Sequence, residues 1–271
     1  MPPKASIILL AYNHQNSVAR AIESLLAQQT DYNYEILIAD DCSTDRTREI
    51  AQQYADRYPQ IIRMMPPAPN KGLVNNYFDA LMECRGEYIS DCAADDYWLD
   101  TSLLRTEIEM LDSDPSLSVV FPDVAENGTQ LHSSMPRYAR WMRPHVTGRE
   151  ILLGTLNNTT ALPYQLSAAL YRKSSLMSVL EQAPDMVRNP ECGVEDLPVI
   201  AALASQGDAA YTPLIGYHYT VDSTETISNN LSPAKAFRFY SRLLAFTPKL
   251  AKFYGIPLTD LNDHFQQKYS Y

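Results

Sequence analysis

The sequence predicts an α/β protein in which helices flank a central, mostly parallel sheet. Over the first hundred residues, apolar runs of strand length alternate with segments whose apolar residues recur at helical spacing. The runs are continuously apolar, which is typical of strands buried on both faces of a parallel sheet. Strands and helices that alternate in this way form a doubly wound sheet, which binds ligands beyond the carboxyl ends of its strands.

The predicted elements follow one another along the whole chain. Predicted strands cover residues 6–11, 34–39, 61–64, 86–92, 118–121, 165–172 and 215–219. Helical spacing predicts helices near residues 18–26, 50–58, 73–81 and 103–111, and further helices that begin near residues 147, 173 and 195. The pattern fades between residues 126 and 146, which predicts a loop. Residues 231–271 are predicted to form a C-terminal helical segment.

Composition argues against several classes of function. The chain has 271 residues and a net charge of −10, which disfavours nucleic-acid binding because an acidic surface repels phosphate backbones. Its 9 glycines form neither the dinucleotide-binding nor the phosphate-binding glycine loop. The 4 cysteines form no C-x-x-C pair, and the sequence shows no signal peptide or membrane-spanning run. We therefore expect a cytoplasmic protein with reduced thiols.

Polar and aromatic side chains follow three of the predicted strands. Tyr12 follows the first strand, Asp41 follows the second, and Asp95 and Asp96 follow the fourth. Two adjacent carboxylates repel each other unless a cation or hydrogen-bond donors compensate. Asp95 and Asp96 therefore indicate a divalent cation whose shell is completed by substrate phosphates, and a solvated turn is the alternative.

Four sequence blocks carry a resemblance to a known family. They are SIILLAYN at residues 6–13, EILIADDCSTD at 35–45, NKG at 70–72 and GEYISDCAADDYW at 86–98. In this order and spacing they resemble the inverting family-two glycosyltransferases of the GT-A fold, over about residues 4–125. The resemblance implies a nucleotide-sugar donor, usually a UDP-sugar, and a divalent metal ion, Mn²⁺ or Mg²⁺. It also implies direct displacement at the anomeric carbon with inversion.

The resemblance implies roles for individual residues. Tyr12 resembles the aromatic residue that packs on the base, and Asp41 resembles the carboxylate that accepts a hydrogen bond from the base edge. Asp95 resembles the final aspartate of the D-x-D motif, which ligates the metal, and Asp96 is expected to orient the donor sugar. Leu10 and Ala11 are expected to line the base pocket through their backbone groups. The full set of expected nucleotide-binding residues is Leu10, Ala11, Tyr12, Asn13, Asp41, Asn70 and Asp95.

One position departs from the family pattern. The first acidic position of the D-x-D motif is Ala93, and the missing carboxylate often contacts the donor ribose. Asp91 lies two residues earlier, on the same face of the predicted strand, but does not simply replace it. This departure leaves open a catalytically degenerate module that binds a nucleotide sugar without turnover.

The second half of the chain offers a candidate base. Glu195 and Asp196 open a predicted helix, where the helix dipole favours carboxylates, so capping alone would explain them. The resemblance implies instead that an acidic pair about a hundred residues past the D-x-D motif supplies the general base of an inverting transfer. We expect Asp196 in this role, with Glu195 as the fallback. His218 is expected either as a metal or phosphate ligand or as a structural histidine.

Pattern and resemblance together predict one glycosyltransferase domain over residues 1–230, followed by a C-terminal helical extension over residues 231–271. The nucleotide-binding half is expected at about residues 1–125 and the acceptor half at about residues 126–230. The expected partners are a nucleotide-sugar donor and a glycan or lipid-linked acceptor of bacterial surface-polysaccharide synthesis. The extension is locally basic, which fits a peripheral contact with anionic lipid at the inner face of the membrane. Packing against the body, or against another subunit of a homo-oligomer, is the alternative.

Overall fold

The computed structural model describes residues 2–157, 162–220 and 233–261, which form one mixed sheet with helices on both of its faces. The strands are β1 (Ala5–Ala11), β2 (Tyr34–Asp40), β3 (Ile62–Met64), β4 (Tyr88–Ala93), β5 (Tyr97–Trp98), β6 (Leu117–Glu126), β7 (Gln130–Leu131), β8 (Leu170–Arg172) and β9 (Asp208–Tyr219). Parts of the predicted acceptor half and of the predicted C-terminal extension fall at residues 158–161, 221–232 and 262–271, outside the described residues.

The sheet has the strand order β3-β2-β1-β4-β8-β6-β9-β5 within the described ranges, and β7 pairs with β6. The longest pairings are parallel: β1 with β2, β1 with β4, and β6 with β9. Three short strands are antiparallel to their neighbours: β8 to β4 and β6, β5 to β9, and β7 to β6. The prediction of a mostly parallel sheet is confirmed. The antiparallel direction of these strands carries no sequence signal, because a run of two or three residues looks the same in either direction.

The helices cover both faces of the sheet. They are α1 (Val18–Leu26), α2 (Thr47–Arg57), α3 (Leu73–Glu83), α4 (Leu103–Ser113), α5 (Pro136–Ala139), α6 (Gly148–Asn157), α7 (Lys173–Gln182), α8 (Pro184–Val187), α9 (Asp196–Gln206) and α10 (Pro233–Phe253). On one face, α1, α2 and α4 pack against Ile7 and Leu9 of β1. On the other, α3, α6, α7, α9 and α10 form a core that includes Ile8 and Leu10. Successive residues of β1 alternate between the two cores, as the pleat of a strand requires.

The segment from residue 126 to residue 146 is more regular than predicted. It contains β7, a 3₁₀ turn and α5, and Trp141 within it is buried. Val146 and Ala209 exchange two backbone hydrogen bonds of 2.8 and 2.9 Å, which tie the end of the segment to β9. The prediction of a plain loop was wrong here. The buried aromatic residues are spaced irregularly and show neither the period of a strand nor that of a helix.

The C-terminal helical segment is confirmed over the described part of the extension. α10 packs against α6, α8 and α9, and it buries Leu243, Phe246 and Leu250 in the core that α9 also enters. No helix in the described ranges is long and apolar enough to cross a membrane.

Close packing of α6 against α9 provides a test of this arrangement, because α9 begins with the candidate base Asp196. A Cβ added to Gly148 would lie 2.2 Å from the Ala204 carbonyl oxygen and 2.4 Å from that of Gly207. We expect Gly148→Ala to lower the free energy of unfolding by about 1–3 kcal/mol, measured by urea denaturation, because the two helices must move apart. Arg149→Ala is the control, since Arg149 is the exposed neighbour of Gly148 on the same helix. Equal effects of the two substitutions would contradict the close packing.

Candidate active site

Three neighbouring strands end at the same edge of the sheet and bring the predicted nucleotide-binding residues together. Ala11 of β1 pairs with Asp40 of β2, and Leu10 pairs with Ala93 of β4. Just past the strands, the Asp41 amide donates to the Ala11 carbonyl and the Ala94 amide donates to the Leu10 carbonyl, each at 2.9 Å. Leu10 and Ala11 were expected to line the base pocket through backbone groups, and their carbonyls already accept hydrogen bonds within the protein.

Tyr12 and Asp41 occupy this edge in different environments. The Tyr12 side chain is 42% exposed, which suits a ring that receives a planar ligand, whereas Asp41 is buried. The two Asp41 carboxylate oxygens accept hydrogen bonds from the Lys71 and Gly72 amides, both at 2.9 Å. The Asn70 side-chain amide donates to the Asp41 carbonyl at 2.9 Å. Asp41 therefore fixes the turn before α3 against the end of β2, and its expected contact with a base stays a prediction.

Asn13 connects the turn after β1 to the turn after β2. Its backbone has a φ of 60°, in the left-handed region that asparagine tolerates better than most residues. Its side-chain carbonyl accepts from the Thr44 amide at 2.8 Å, and its own amide donates to the Ser43 hydroxyl at 2.9 Å. These bonds hold Tyr12, the preceding residue, in place at the edge.

The adjacent carboxylates after β4 have separate environments. Asp96 is buried and accepts hydrogen bonds from the Tyr217 hydroxyl and, at 2.7 Å, from the Thr220 amide. Burial, followed by repulsion from Asp95, raises the pKa of Asp96 to about 7. The carbonyl of Asp95 accepts from the Thr220 hydroxyl at 2.9 Å and from Arg20 at 3.3 Å. Asp96 thus anchors the strand β9 to this turn, and its expected contact with a donor sugar stays a prediction.

His218 stacks in an aromatic layer beside this turn. Its ring centroid lies 4.4 Å from that of Tyr97, and the Arg20 guanidinium lies 4.3 Å from the same tyrosine ring. The His218 Nδ1 atom is 3.5 Å from the Thr220 hydroxyl. Burial, followed by the positive charge of Arg20, lowers the pKa of His218 and favours the neutral imidazole. The geometry accounts for a structural histidine, and the metal or phosphate role stays a prediction.

The side chains present at this edge limit how a divalent metal ion could be held. No group of three or more His, Cys, Asp and Glu side chains in the described part of the chain is placed to hold a metal ion. Ala93 contributes no ligand, and the carboxylate of Asp96 is bonded to Tyr217 and Thr220. Mg²⁺ is commonly bound by one or two carboxylates together with substrate phosphates. Asp95 fits this mode, in which the metal is shared with a bound diphosphate.

A second group of carboxylates lies between β4 and α9. Asp196 is the first residue of α9 and is half-buried, whereas Glu195 and Asp91 are buried. The Asp91 carbonyl accepts from the Ala168 amide at 2.9 Å, and the Asp91 side chain hydrogen-bonds to Ser167. The three carboxylates interact electrostatically with one another.

Burial affects which of these three groups carries a negative charge. Burial, followed by repulsion from Asp196, raises the pKa of Asp91 to about 8. Burial, followed by the charges of Asp196 and Asp91, raises the pKa of Glu195 well above its usual range. Burial alone raises the pKa of Asp196 to about 6. Burial therefore disfavours the charged form of all three groups, and Asp196, the least buried of them, is the best placed to carry a negative charge.

Side-chain capping does not account for Glu195. It occupies the N-cap position of α9 but makes no side-chain hydrogen bond to the first turn. Its Oε2 atom has no hydrogen-bond partner among the described residues. Asp196 lies in the first turn of α9, where the helix dipole favours a carboxylate, and its role as base stays a prediction.

Sequence reasoning missed three contributors to the site. Asp91 was considered only as a replacement for Ala93, because the period of two along β4 places both on one face but does not indicate which helix covers that face. Tyr164 interacts electrostatically with Asp196, and its buried hydroxyl has no partner among the described residues. Arg20 contacts the turn at Asp95. A lone tyrosine in a connection and a lone arginine on α1 give no sequence signal.

The fold is that of the GT-A glycosyltransferases. The structure superimposes on S. aureus TarS 1-349 in complex with UDP-GlcNAc with a TM-score of 0.67, at 21% sequence identity, covering 90% of this chain and 66% of that one. It superimposes on the mannosyltransferase PcManGT from Pyrobaculum calidifontis, in complex with GDP-Man and Mn²⁺, with a TM-score of 0.62, at 15% identity, covering 94% and 74% of the two chains.

The sequence defines the family. The model of glycosyl transferase family 2 matches residues 6–179, and the chain belongs to this family. The chain is 40% identical over 119 residues to an uncharacterised protein of Mycobacterium bovis, covering 44% of this chain and 34% of that one. It is 32% identical over 103 residues to the poly(ribitol-phosphate) beta-glucosyltransferase of Bacillus spizizenii, covering 38% and 16%. The chain thus spans about a third of the length of the first relative and about a sixth of the second.

The buried position of Asp91 makes a prediction about pH and stability. In the unfolded chain its carboxyl titrates near the ordinary value of 3.8, but in the folded protein near 8, so folding is penalised increasingly as the pH rises between these values. Asp91→Asn removes this penalty. Its free energy of unfolding, relative to that of the wild type, is expected to rise between pH 4 and pH 8 and then to level off.

Urea denaturation at pH 5 and pH 8 measures this difference. Ser90→Ala is the matched control, because it alters the adjacent residue of β4 without removing an ionisable group. If the free energy of unfolding of Asp91→Asn differs from that of the wild type by the same amount at both pH values, the folded protein does not raise the pKa of Asp91.

Proposed function

We propose that this protein is a metal-dependent inverting glycosyltransferase that moves a sugar from a nucleotide diphosphate, a UDP-sugar, to a glycan or lipid-linked acceptor. The observation that carries the proposal is the arrangement of the strand ends. Tyr12, Asp41 and Asp95 share one edge of the sheet, and Asp91 of the same β4 strand interacts with Asp196 at the start of α9. The strand β4 therefore connects the two parts of the site: Asp95 follows it at the proposed donor-binding edge, and Asp91 within it interacts with the candidate base Asp196.

The donor is proposed to lie along this edge. The exposed ring of Tyr12 offers a face for the base, and the turn fixed by Asp41 lies at the same edge of the sheet. The bound UDP-GlcNAc of TarS and the bound GDP-Man of PcManGT support a nucleotide-sugar donor on this fold. Uracil fits an apolar slot with one acceptor, because its imino N–H requires a partner.

Asp196 is proposed to act as the general base. In an inverting transfer the acceptor hydroxyl oxygen bonds to the anomeric carbon, the bond from that carbon to the diphosphate breaks, and the hydroxyl proton passes to Asp196. A metal ion held by Asp95 and the diphosphate, as the Mn²⁺ complex of PcManGT suggests, would neutralise the charge of the leaving group. Burial raises the pKa of Asp91 and Glu195, which favours a single negative charge on Asp196 beside the acceptor.

The biological setting is proposed from the relatives. A poly(ribitol-phosphate) beta-glucosyltransferase among them supports a role in bacterial surface-polysaccharide synthesis. The four cysteines are free thiols, which supports a cytoplasmic location because reducing compartments keep thiols in this state.

A second candidate function is a nucleotide-sugar-binding module without turnover. Ala93 favours it, since the first carboxylate of the D-x-D motif is missing. Assaying UDP release from UDP-sugars in the presence of candidate acceptors distinguishes the two functions. Tight UDP binding with no release on any acceptor would establish the module and overturn the enzyme.

The role of Asp196 as base is tested by Asp196→Asn. We expect kcat to fall by about 10²- to 10⁴-fold while the affinity for UDP is retained, because the amide cannot accept the proton. The wild-type kcat is expected to fall about tenfold per unit as the pH drops below 6, since protonated Asp196 is inactive. Glu195→Gln is the control and is expected to show the same fall of kcat below pH 6. Retained transfer in Asp196→Asn would place the base elsewhere.

The role of Asp95 is tested by calorimetric titration of UDP with and without Mn²⁺. The wild type is expected to bind UDP more tightly when Mn²⁺ is present, and Asp95→Ala is expected to lose this difference because it lacks the metal-binding carboxylate. Asp31→Ala, an exposed position before β2, serves as the control. An undiminished effect of Mn²⁺ in Asp95→Ala would exclude Asp95 as a metal ligand.

A further inference from the structure

We propose that the outward face of α10 is a docking surface for an anionic lipid bilayer. This inference goes beyond the proposed transfer reaction, since it concerns a surface and not the site. α10 contains no acidic residue in a chain whose net charge is −10. Its basic residues are Lys235, Arg238, Arg242, Lys249 and Lys252.

Four of these cations lie on one face of the helix. Arg238, Arg242, Lys249 and Lys252 follow one another at intervals of 4, 7 and 3 residues, which places their side chains in one stripe along the helix. All four are exposed. The opposite face, described above, is buried in the core. The stripe therefore lies on the solvent-exposed side of α10.

The stripe retains most of its positive charge. Lys249 forms an ion pair of 3.6 Å with Glu191, whose side chain is itself largely exposed. Arg238, Arg242 and Lys252 form no ion pair with any of the described residues. A surface of this sign is complementary to anionic lipid headgroups, which attract clustered lysine and arginine side chains.

Exposed apolar side chains flank the stripe at both ends. Phe237 is 76% exposed near the beginning of α10, Phe253 is 42% exposed at its end, and Leu258 is 62% exposed shortly after it. Basic residues combined with exposed aromatic and aliphatic side chains are typical of helices that lie in a membrane interface. A soluble polyanion would contact the cations but would leave these apolar side chains in water. The bilayer is therefore the favoured occupant.

The docking surface adjoins the candidate active site. A Cβ added to Gly193 would lie 3.8 Å from the Cδ atom of Arg242, so the stripe borders the turn that leads into Glu195 and Asp196. Docking would bring that turn close to the bilayer surface. If the proposed function holds, this geometry favours an acceptor whose hydroxyl is carried on a membrane lipid.

Vesicle co-sedimentation of the full chain tests the proposal. We expect the protein to bind vesicles of phosphatidylcholine mixed with phosphatidylglycerol but not vesicles of phosphatidylcholine alone, with binding that weakens at high salt. Each basic residue near an anionic surface contributes about fivefold to binding, so the double variant Arg238→Glu and Lys252→Glu is expected to bind at least 25-fold more weakly, by this order-of-magnitude estimate.

A matched control carries the same change in charge on the opposite layer. Arg57→Glu combined with Arg105→Glu alters two exposed residues of α2 and α4, which cover the other face of the sheet. This variant is expected to keep most of the wild-type binding. An equal loss in both double variants would overturn the proposal, because it would show that only the overall charge matters.

Phe237→Ser separates a bilayer from a soluble polyanion. It is expected to weaken vesicle binding by about tenfold, since the ring no longer enters the interface, and to leave binding of soluble polyphosphate unchanged. Vesicle binding that is insensitive to Phe237→Ser, or a wild type that does not bind phosphatidylglycerol vesicles, would overturn the proposal. Because these measurements need no donor or acceptor, their outcome is independent of whether the proposed transfer reaction is confirmed.

Discussion

The parallel pairing of β1 with β2 on one side and β4 on the other is the constraint on which the site depends. All seven residues of β1 are buried, and alternate residues enter the two cores of the protein. A shift of register by one residue would turn each of these side chains into the wrong core, so the pairing is strongly specified. Because the register is fixed, the turns after the three strands meet at one edge, where Tyr12, Asp41 and Asp95 follow.

The carboxylates of the candidate site lie in different environments, because burial and hydrogen bonding differ from one to the next. After β4, Asp96 is buried and hydrogen-bonded to Tyr217 and Thr220, and its neighbour Asp95 is the proposed metal ligand. At the start of α9, burial raises the pKa of Asp91, Glu195 and Asp196, and Asp196 is the least buried of the three. A cluster of buried acids costs folding free energy, which is the kind of local conflict that proteins retain at functional sites.

The sequence was sufficient to predict the part of the fold that is made of local patterns. The continuous apolar runs identified β1, β2 and β4, and the residues after them were correctly expected to meet at one edge. β6 and β9 were predicted too short. Pro122 within β6 reads as a strand breaker, but it lies where the register between β6 and β9 shifts, and a proline is tolerated at such an irregularity.

The contacts of the candidate base could not be predicted, because they depend on how α9 docks. No periodicity indicates that the start of α9 lies beside Asp91, about a hundred residues earlier in the chain. The buried Trp141 and the hydrogen bonds of Asp41 to the turn before α3 likewise arise from long-range packing. The resemblance to family-two glycosyltransferases indicated which residue types to look for, and the structure shows which of them lie together.

The proposed function requires that one edge of the sheet hold a nucleoside diphosphate between Tyr12 and Asp95. A crystal structure of the protein grown with UDP and Mn²⁺ would reveal the position of both ligands. We expect the uracil ring to lie against Tyr12 and beside Asp41, with the metal coordinated by the Asp95 carboxylate and by diphosphate oxygens. Uridine bound at another surface, with Asp95 making no contact to the metal, would contradict this requirement.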